Sequence, residues 1–214
     1  MASEVGLSAS RAEVILLGGE RYYVSERYDR EIVSGKPRRL HQEDFCQLLS
    51  VDPEMKYETD GGPSIADCMS VMRRMRMPAT SQLAFIDSIA FNYIIGNADA
   101  HAKNISVVYL GKRAALAPMY DLVSTVVYPE LSMDMAMGIG GKTRFSEMSR
   151  SNFSAMADAC GISPKLVLSR LDALCLRTTS AAERLAEEFA ASWPSDLYGK
   201  VIETIRSHAA QVAS

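Results

Sequence analysis

The sequence is poor in the residues that build disulfide frameworks and zinc centres. Its 214 residues include four cysteines and three histidines. They are spread along the chain as Cys46, Cys68, Cys160, Cys175, His41, His101 and His208. No C-x-x-C pair is present, which argues against the common zinc-ribbon and redox spacings and predicts free thiols in a reducing compartment. A zinc site would need more closely clustered ligands than these.

Long apolar runs and an excess of positive charge are also lacking. No stretch reaches the roughly 18 apolar residues that indicate a membrane span, and the amino terminus lacks the basic-then-apolar order of a signal peptide. We therefore expect a cytoplasmic protein without membrane contact. The formal net charge of -3 gives no overall attraction to nucleic acid. The locally basic run MRRMRM at 72–77 is interpreted as a helix end, where cations favour the helix dipole.

The most informative stretch is NADAHAKN at 97–104. Asp99 and Asn104 stand five residues apart, the spacing by which a kinase catalytic loop offers a carboxylate to the acceptor hydroxyl and an amide to magnesium. A second acid, Asp121, follows in APMYDLVS. Because magnesium typically takes only one or two protein oxygens beside phosphates and waters, Asn104 and Asp121 would suffice as its ligands. The alternative is an ordinary polar loop, since Asp, Asn and His are common in turns.

The flanking patterns bring these residues together. Apolar residues at helical spacing over 81–95 predict a helix that leads into the loop. The following segment, ISVVYLGKRAALAPMYD, is typical of two short strands around a turn at Gly111 and Lys112. That hairpin would carry Asp121 back beside Asn104.

Five segments of the sequence resemble a known family. IIGNADAHAKNISVVY and LAPMYDLVS are similar to the C-terminal kinase domain of the HipA-like toxins, which are serine/threonine kinases of bacterial toxin-antitoxin systems. YYVSERYDR, HQEDFCQLL and KYETDGGPSIA follow the family order as well. The resemblance covers about residues 5–190.

The resemblance implies roles for individual residues. Asp99 matches the catalytic base, and Asn104 and Asp121 match the magnesium ligands. The linker between the lobes, whose backbone would bind adenine, is matched by Glu26, Arg27 and Tyr28. The segment near the ribose is matched by Asp29 and Gln42. The remaining ATP-contacting positions are His101, Ala102, Lys103, Asn104, Tyr120 and Asp121. The implied cofactors are ATP and Mg2+.

Two features expected of a protein kinase are not found in the sequence. The glycine-rich loop over the phosphates and the strand lysine would lie before Met1, so we expect most of the small lobe to be absent. Gly18 and Gly19 do not replace them, because the flanking strand residues indicate a hairpin turn. AMGIGGKT at 136–143 resembles a phosphate-binding P-loop, but Ala136 replaces its first glycine. Its alternating pattern is typical of an exposed hairpin instead.

The predicted fold class is α+β: a protein-kinase-like, HipA-type large lobe that is mostly helical, with an amino-terminal hairpin left from the small lobe. The expected division is 1–30 for the small-lobe remnant and linker, and 31–214 for the helical lobe. We expect a hairpin and linker at 12–28 in the first part, and a loop at 31–40 and a helix at 41–49 in the second. A turn is predicted at 60–63, with Pro63 at a helix start, and later helices at 152–159, 164–191 and 195–212.

Three functional hypotheses follow. The first is a serine/threonine protein kinase of a toxin-antitoxin system; the resemblance suggests an aminoacyl-tRNA synthetase as substrate, a HipB-type helix-turn-helix antitoxin as partner, and DNA contact only through that antitoxin. The second is a catalytically incomplete kinase lobe that acts as a binding module for antitoxin or substrate. The third is a small-molecule kinase with a similar catalytic loop.

Overall fold

The computed structural model describes residues 1–111 and 113–213. Within these ranges it contains nine short strands and six α-helices. The strands are β1 (Ala12–Leu17), β2 (Glu20–Ser25), β3 (Arg30–Val33), β4 (Lys36–Arg39), β5 (Gln42–Asp44), β6 (Ser106–Leu110), β7 (Arg113–Leu116), β8 (Asp134–Ile139) and β9 (Lys142–Arg144). The helices are α1 (Phe45–Leu49), α2 (Ile65–Arg74), α3 (Ala79–Ile95), α4 (Arg150–Ala159), α5 (Pro164–Ser192) and α6 (Leu197–Val212). This mixture of helices and small antiparallel sheets confirms the predicted α+β class.

Helix α3 lies at the centre of the core. Every residue from Phe85 to Ile95 is buried, because α5, α6 and β7 pack against this helix. Tyr93 packs against Phe145, Phe153 and His208, with ring centroids 5.1–5.8 Å apart. Burial of each large apolar side chain contributes about 1.5–3 kcal/mol, so α3 is a rigid support for the loop that follows it. The helix predicted from the apolar spacing is confirmed.

Helix α3 ends at a glycine that the backbone requires. Gly96 adopts φ 72°, and an added Cβ would lie 2.3 Å from Cγ2 of Val126 and 2.9 Å from Cγ2 of Thr204. A left-handed residue commonly ends a helix, and glycine adopts this conformation without a Cβ penalty. The chain therefore turns sharply at Gly96 into the loop at 97–104.

Three hairpins that the sequence predicts are present. β1 pairs with β2 around Gly18 and Gly19, and β6 pairs with β7; of the predicted β6–β7 turn, Lys112 lies outside the described residues. β8 pairs with β9, so AMGIGGKT is a hairpin and not a P-loop. The expectation that this hairpin is exposed was wrong, because Met135, Ala136, Met137 and Ile139 are buried. Its apolar residues pack into the main core.

Two predicted elements differ from the structure. The segment 31–40, expected to be a loop, contains the β3–β4 hairpin; Ser34 and Gly35 adopt left-handed conformations that suit a two-residue turn. Pro37 is tolerated because β4 is an edge strand. The helix expected over 41–49 begins only at Phe45, because Gln42–Asp44 pairs with β6 as strand β5. Asp44 then caps α1 by accepting a hydrogen bond from the Gln47 amide.

The helices predicted at 152–159, 164–191 and 195–212 correspond to α4, α5 and α6, whose bounds differ from the prediction by at most two residues. Helix α2 begins at Ile65 and is capped by Ser64 and Asp67, so Pro63 precedes the cap instead of opening the helix. The basic run does lie at the end of α2: Arg73 and Arg74 occupy its last turn. The Arg73 guanidinium donates to the carbonyls of Cys160 and Gly161, just after α4. Across the described residues, no helix is both long and apolar enough to cross a bilayer.

Candidate active site

The loop at 97–104 is held from two sides by hydrogen bonds to the backbone of Ala98. The amide of Ala98 donates to Oγ1 of Thr125 across 2.7 Å, and the Ala98 carbonyl accepts from the amide of Ala136 across 2.8 Å. Thr125 also donates to the carbonyl of Gly96. Strand β8 and the 3-10 turn at Thr125–Val127 thus fix the backbone immediately before Asp99.

Asn97 connects this loop to Asp121. Its buried side-chain nitrogen donates to Oδ1 of Asn92 across 2.8 Å and to the Asp121 carbonyl across 3.1 Å. Its side-chain oxygen accepts from the amide of Asp99 across 3.2 Å. A buried amide has to satisfy its donors and acceptors, and these bonds do so while aligning the two acidic residues.

Asn104 and Asp121 form the oxygen-rich side of the site. The Asn104 amide donates to the Asp99 carbonyl across 3.1 Å and to Oδ2 of Asp121 across 2.9 Å. Asp121 adopts φ 56°, a conformation that aspartate tolerates better than most residues. Such strained positions are frequent at functional sites. The carboxylate and amide oxygens are hard donors and fit Mg2+, which needs few protein ligands.

Asp99 is contacted by two residues that sequence reasoning did not select. Tyr57 donates its hydroxyl proton to Oδ1 of Asp99 across 2.6 Å, and the Lys56 ammonium lies 3.5 Å from the same oxygen. Both belong to KYETDGGPSIA, about forty residues upstream. The segment resembles the family, but no spacing rule links a lysine and a tyrosine to a distant carboxylate.

His101 supports the loop from its buried side. Its Nε2 lies 3.0 Å from the Lys56 ammonium and 3.7 Å from Oδ1 of Asp99. Burial lowers the pKa of His101; Asp99 opposes this shift and Lys56 adds to it. Because an ammonium can only donate, we assign Nε2 as the acceptor and the proton to Nδ1. Nδ1 is buried and has no hydrogen-bond partner among the described residues.

The predicted linker reaches the same site through Tyr28. Its ring stacks on Tyr120 with centroids 5.8 Å apart, and its hydroxyl donates to Gln42 on β5. Tyr120 in turn donates to the Lys103 carbonyl across 2.8 Å and bonds Ser106. Burial raises the pKa of Tyr120, so this residue stays a neutral donor. Tyr28, Gln42, Lys103 and Tyr120 therefore form one contact chain from the linker to the loop.

Other predicted residues have contacts of their own. Asp29 is buried and accepts from Arg27 and Arg30, with Arg39 3.8 Å away. Hydrogen bonds from Arg27 above all lower the pKa of Asp29 to about 2, against the opposing effect of burial. The Asp29 carboxylate is thus engaged with arginines.

The remaining predicted residues lie in the linker and in the loop. The amide of Glu26 donates to the Arg11 carbonyl. Ala102 is fully buried in the 3-10 turn Ala102–Asn104. The Lys103 ammonium lies 3.5 Å from the Pro53 carbonyl.

A cleft lies on the side of the site formed by Asn104 and Asp121. Its lining includes Asn97, Asn104, Tyr120 and Asp121. None of the three glycine pairs of the chain lines it: Gly18–Gly19 and Gly140–Gly141 are hairpin turns, and Gly61–Gly62 precedes α2. Among the described residues, no cluster of three or more His, Cys, Asp and Glu forms a metal centre.

Comparison with known proteins decides the family. The model of the HipA-like C-terminal domain matches residues 1–192. The chain belongs to the HipA-like C-terminal domain family. The Sinorhizobium fredii protein Y4mE, named as an inferred kinase, is 42% identical over 200 residues, which are 92% of this chain and 46% of that protein. The serine/threonine-protein kinase toxin HipA of Shewanella oneidensis is 27% identical over 194 residues, covering 85% of this chain and 45% of the toxin.

Solved structures agree with the fold. A chain of the Shewanella oneidensis MR-1 complex of HipA, HipB and operator DNA superposes with a TM-score of 0.89 at 24% identity, over 99% of this chain and 53% of that one. The Helicobacter pylori proinflammatory kinase CtkA gives a TM-score of 0.57 at 12% identity, over 99% of this chain and 80% of that one. The chain spans about half the length of the curated relatives it matches.

Proposed function

We propose that this chain is the large lobe of a HipA-like serine/threonine protein kinase, transferring the γ-phosphoryl group of magnesium ATP to a protein hydroxyl. The observation that carries the proposal is the convergence of Asp99, Asn104 and Asp121 through Asn104, whose amide contacts the other two residues. Asn104 and Asp121, which are 17 positions apart in the sequence, thereby lie side by side in one cleft. Membership of the HipA-like family and the kinase names of its relatives support the same reaction.

The roles follow from the geometry. Asp99 has a half-exposed carboxylate and would accept the proton of the acceptor hydroxyl as the new bond to phosphorus forms. The bond between the γ-phosphorus and its bridging oxygen breaks, and ADP leaves with that electron pair. Asn104 and Asp121 would hold Mg2+, which supplies charge neutralisation on the phosphate oxygens when bound. Tyr28 and Tyr120 would face the nucleotide from the linker side.

The division at residue 30 is part of this proposal, with 1–30 as small-lobe remnant and linker and 31–214 as the helical lobe. The exposure of the β1–β2 hairpin supports it. All twelve residues of its strands are exposed, and apolar side chains occupy both faces, including Ile15, Leu16, Leu17 and Tyr23. Two apolar faces are typical of a strand pair inside a larger sheet, which is what a small lobe would provide.

Partners are proposed from the relatives alone. The structure of a HipA, HipB and operator DNA complex supports a HipB-type helix-turn-helix antitoxin, with DNA contacted only through it. An aminoacyl-tRNA synthetase as protein substrate and a cytoplasmic location rest on the family resemblance. The second candidate function, a non-catalytic binding module for antitoxin or substrate, is favoured by the exposed apolar hairpin, a surface suited to protein contact.

Substitution of Asp99 tests the proposed reaction. Purified chain is incubated with Mg2+ and γ-labelled ATP, and transfer of label to added protein acceptors is measured. We expect Asp99→Asn to remove transfer while leaving nucleotide affinity largely intact, because the acceptor loses its orienting carboxylate and the metal ligands remain. Asp158→Asn, on the exposed face of α4, is the matched control. Full transfer by Asp99→Asn would exclude this assignment, and absence of ATP binding by folded wild-type chain would favour the binding module.

A further inference from the structure

Two residues outside the kinase motif hold the proposed catalytic carboxylate. Oδ1 of Asp99 accepts a hydrogen bond from the Tyr57 hydroxyl and faces the Lys56 ammonium. Oδ2 of Asp99 has no hydrogen bond from any residue in the described ranges. One oxygen is therefore occupied by protein donors, and the other is left for an acceptor hydroxyl.

Lys56 and Tyr57 are themselves fixed by several contacts. The Lys56 ammonium lies 3.0 Å from Nε2 of His101 and 4.9 Å from the centre of the Tyr57 ring. The Tyr57 ring meets that of His101 edge-on, with centroids 5.9 Å apart. Such cation–π and edge-to-face contacts restrict side-chain rotation. The three side chains thus orient one another beside Asp99.

The charges of this group are consistent with that geometry. The hydrogen bond to Asp99, followed by burial, raises the pKa of Tyr57, so the phenol keeps the proton it donates. Burial opposes ionisation of Lys56, but its contacts with Tyr57 and Asp99 outweigh this effect and raise its pKa. Asp99 is therefore flanked by one neutral donor and one cation.

The backbone that carries Lys56 and Tyr57 is also tightly placed. A Cβ on Gly62 would lie 2.6 Å from the Met55 carbonyl oxygen and 2.7 Å from that of Tyr57. Distances below about 3 Å require something to shift, so only glycine allows this approach. The amide of Gly62 also donates to the Tyr57 carbonyl across 2.8 Å. The predicted turn at 60–63 therefore supports the segment that contacts Asp99.

Strand β8 joins this segment to the catalytic loop. The amide of Gly138 donates to Oε2 of Glu58 across 2.6 Å, and Ala136, two residues earlier, donates to the carbonyl of Ala98. One strand thus sets the distance between the segment at 56–58 and the loop at 97–99. That is the arrangement needed to hold a hydrogen bond between Tyr57 and Asp99.

We propose that Tyr57 and Lys56 are positioning residues for phosphoryl transfer: they hold Oδ1 of Asp99 so that Oδ2 is presented to the acceptor hydroxyl. This inference rests on the proposed function of Asp99. A carboxylate free to rotate about its terminal bond would spend less time in the reactive geometry, and displacements of about 1 Å can cost roughly a hundredfold in rate. A merely structural pair would instead change folding or nucleotide affinity.

The contact itself is tested without any activity. The chain is labelled with 13C at the tyrosine Cζ, and the resonance lost in Tyr57→Phe identifies Tyr57. We expect Asp99→Asn to shift that resonance, since it replaces the acceptor carboxylate, and Asp158→Asn to leave it unchanged. A Tyr57 resonance that does not move in Asp99→Asn would overturn the inference.

The kinetic role is tested by phosphate release from magnesium ATP, with water in place of the acceptor. We expect Tyr57→Phe and Lys56→Met to lower kcat about ten- to a hundredfold, with the KM for ATP and the melting temperature near wild type. Lys56→Arg should recover part of the loss, because it keeps the charge. The controls are Tyr109→Phe, which removes a similar bond to Glu43, and Lys200→Met on α6.

Outcomes of the two tests separate the inference from the proposed function. Turnover by Tyr57→Phe and Lys56→Met equal to that of the controls would overturn the positioning role and leave the kinase assignment intact. A loss that appears in KM or in the melting temperature alone would also overturn it. If folded wild-type chain releases no phosphate, the proposed activity of this chain fails, and the tyrosine resonance alone decides whether Asp99 is held.

Discussion

The side-chain amide of Asn104 lies 2.9 Å from Oδ2 of Asp121, although the two residues are 17 positions apart in the sequence. The β6–β7 hairpin between them brings the chain back to the loop. Asp121 therefore completes a site that begins at Asp99, and its position depends on the packing of the surrounding elements.

Gly96 should be the most sensitive glycine next to the site. Gly96→Ala combines a left-handed conformation with a Cβ 2.3 Å from Val126, and we expect it to lower the free energy of unfolding by about 2–4 kcal/mol. Gly19→Ala is the matched control, because Gly19 has φ 88° but nothing within 4 Å of an added Cβ. Its cost should be about 1 kcal/mol. Equal losses of unfolding free energy in the two variants, measured by urea unfolding, would contradict the predicted clash with Val126.

Asp29 should make stability depend on pH in the acid range. Its pKa is lowered from 3.8 to about 2 by its hydrogen bonds with arginine, so the folded state favours the carboxylate. The contribution is fully present above the unfolded pKa and is lost as pH falls through the folded value. We expect Asp29→Asn to flatten the fall in unfolding free energy between pH 4 and pH 2, measured in urea. Asp158→Asn is the control, and an unchanged slope in Asp29→Asn would contradict the ion-pair account.

The ion pair between Asp87 and Arg170 should stabilise the packing of α3 on α5. Nε of Arg170 donates to Oδ1 of Asp87 across 2.8 Å, and Asp87 is 9% exposed. Removing one partner of a fully buried pair costs about 3–5 kcal/mol. Arg170 is 40% exposed and can turn to water, so we expect Asp87→Ala to cost about 1–3 kcal/mol. Thermal unfolding of Asp87→Ala beside Asp158→Ala measures this difference, and equal melting temperatures would contradict it.

The sequence predicted elements whose signals are local. The apolar residues of α3 identify that helix, and Gly18 and Gly19 between strand residues identify a hairpin. β5 was missed because Gln42–Asp44 has no strand pattern of its own; it becomes a strand only by pairing with β6. The β3–β4 hairpin was missed because its polar composition and Pro37 are equally typical of a loop.

The site was predictable to the extent that it follows a short motif. Asp99, Asn104 and Asp121 were selected by residue type and spacing, and the structure brings them together. Lys56 and Tyr57 carry no such signal, since their contact with Asp99 depends on Gly62 and on Glu58 binding strand β8. Asp29 was placed near the ribose by resemblance alone, and that role stays a prediction; its contacts with arginines carry no spacing signal in the sequence.

Calorimetric titration of the purified chain with ATP, in the presence and absence of Mg2+, tests whether Asn104 and Asp121 form a magnesium-dependent nucleotide site. Asp121→Asn is the matched variant, because asparagine also tolerates the left-handed backbone at this position but loses the anionic metal ligand. We expect magnesium-dependent binding by wild type and at least about a tenfold loss of affinity in Asp121→Asn, which corresponds to roughly 1.4 kcal/mol. Asp158→Asn should bind as wild type. Magnesium-dependent binding of equal strength in Asp121→Asn would contradict the assignment of the site.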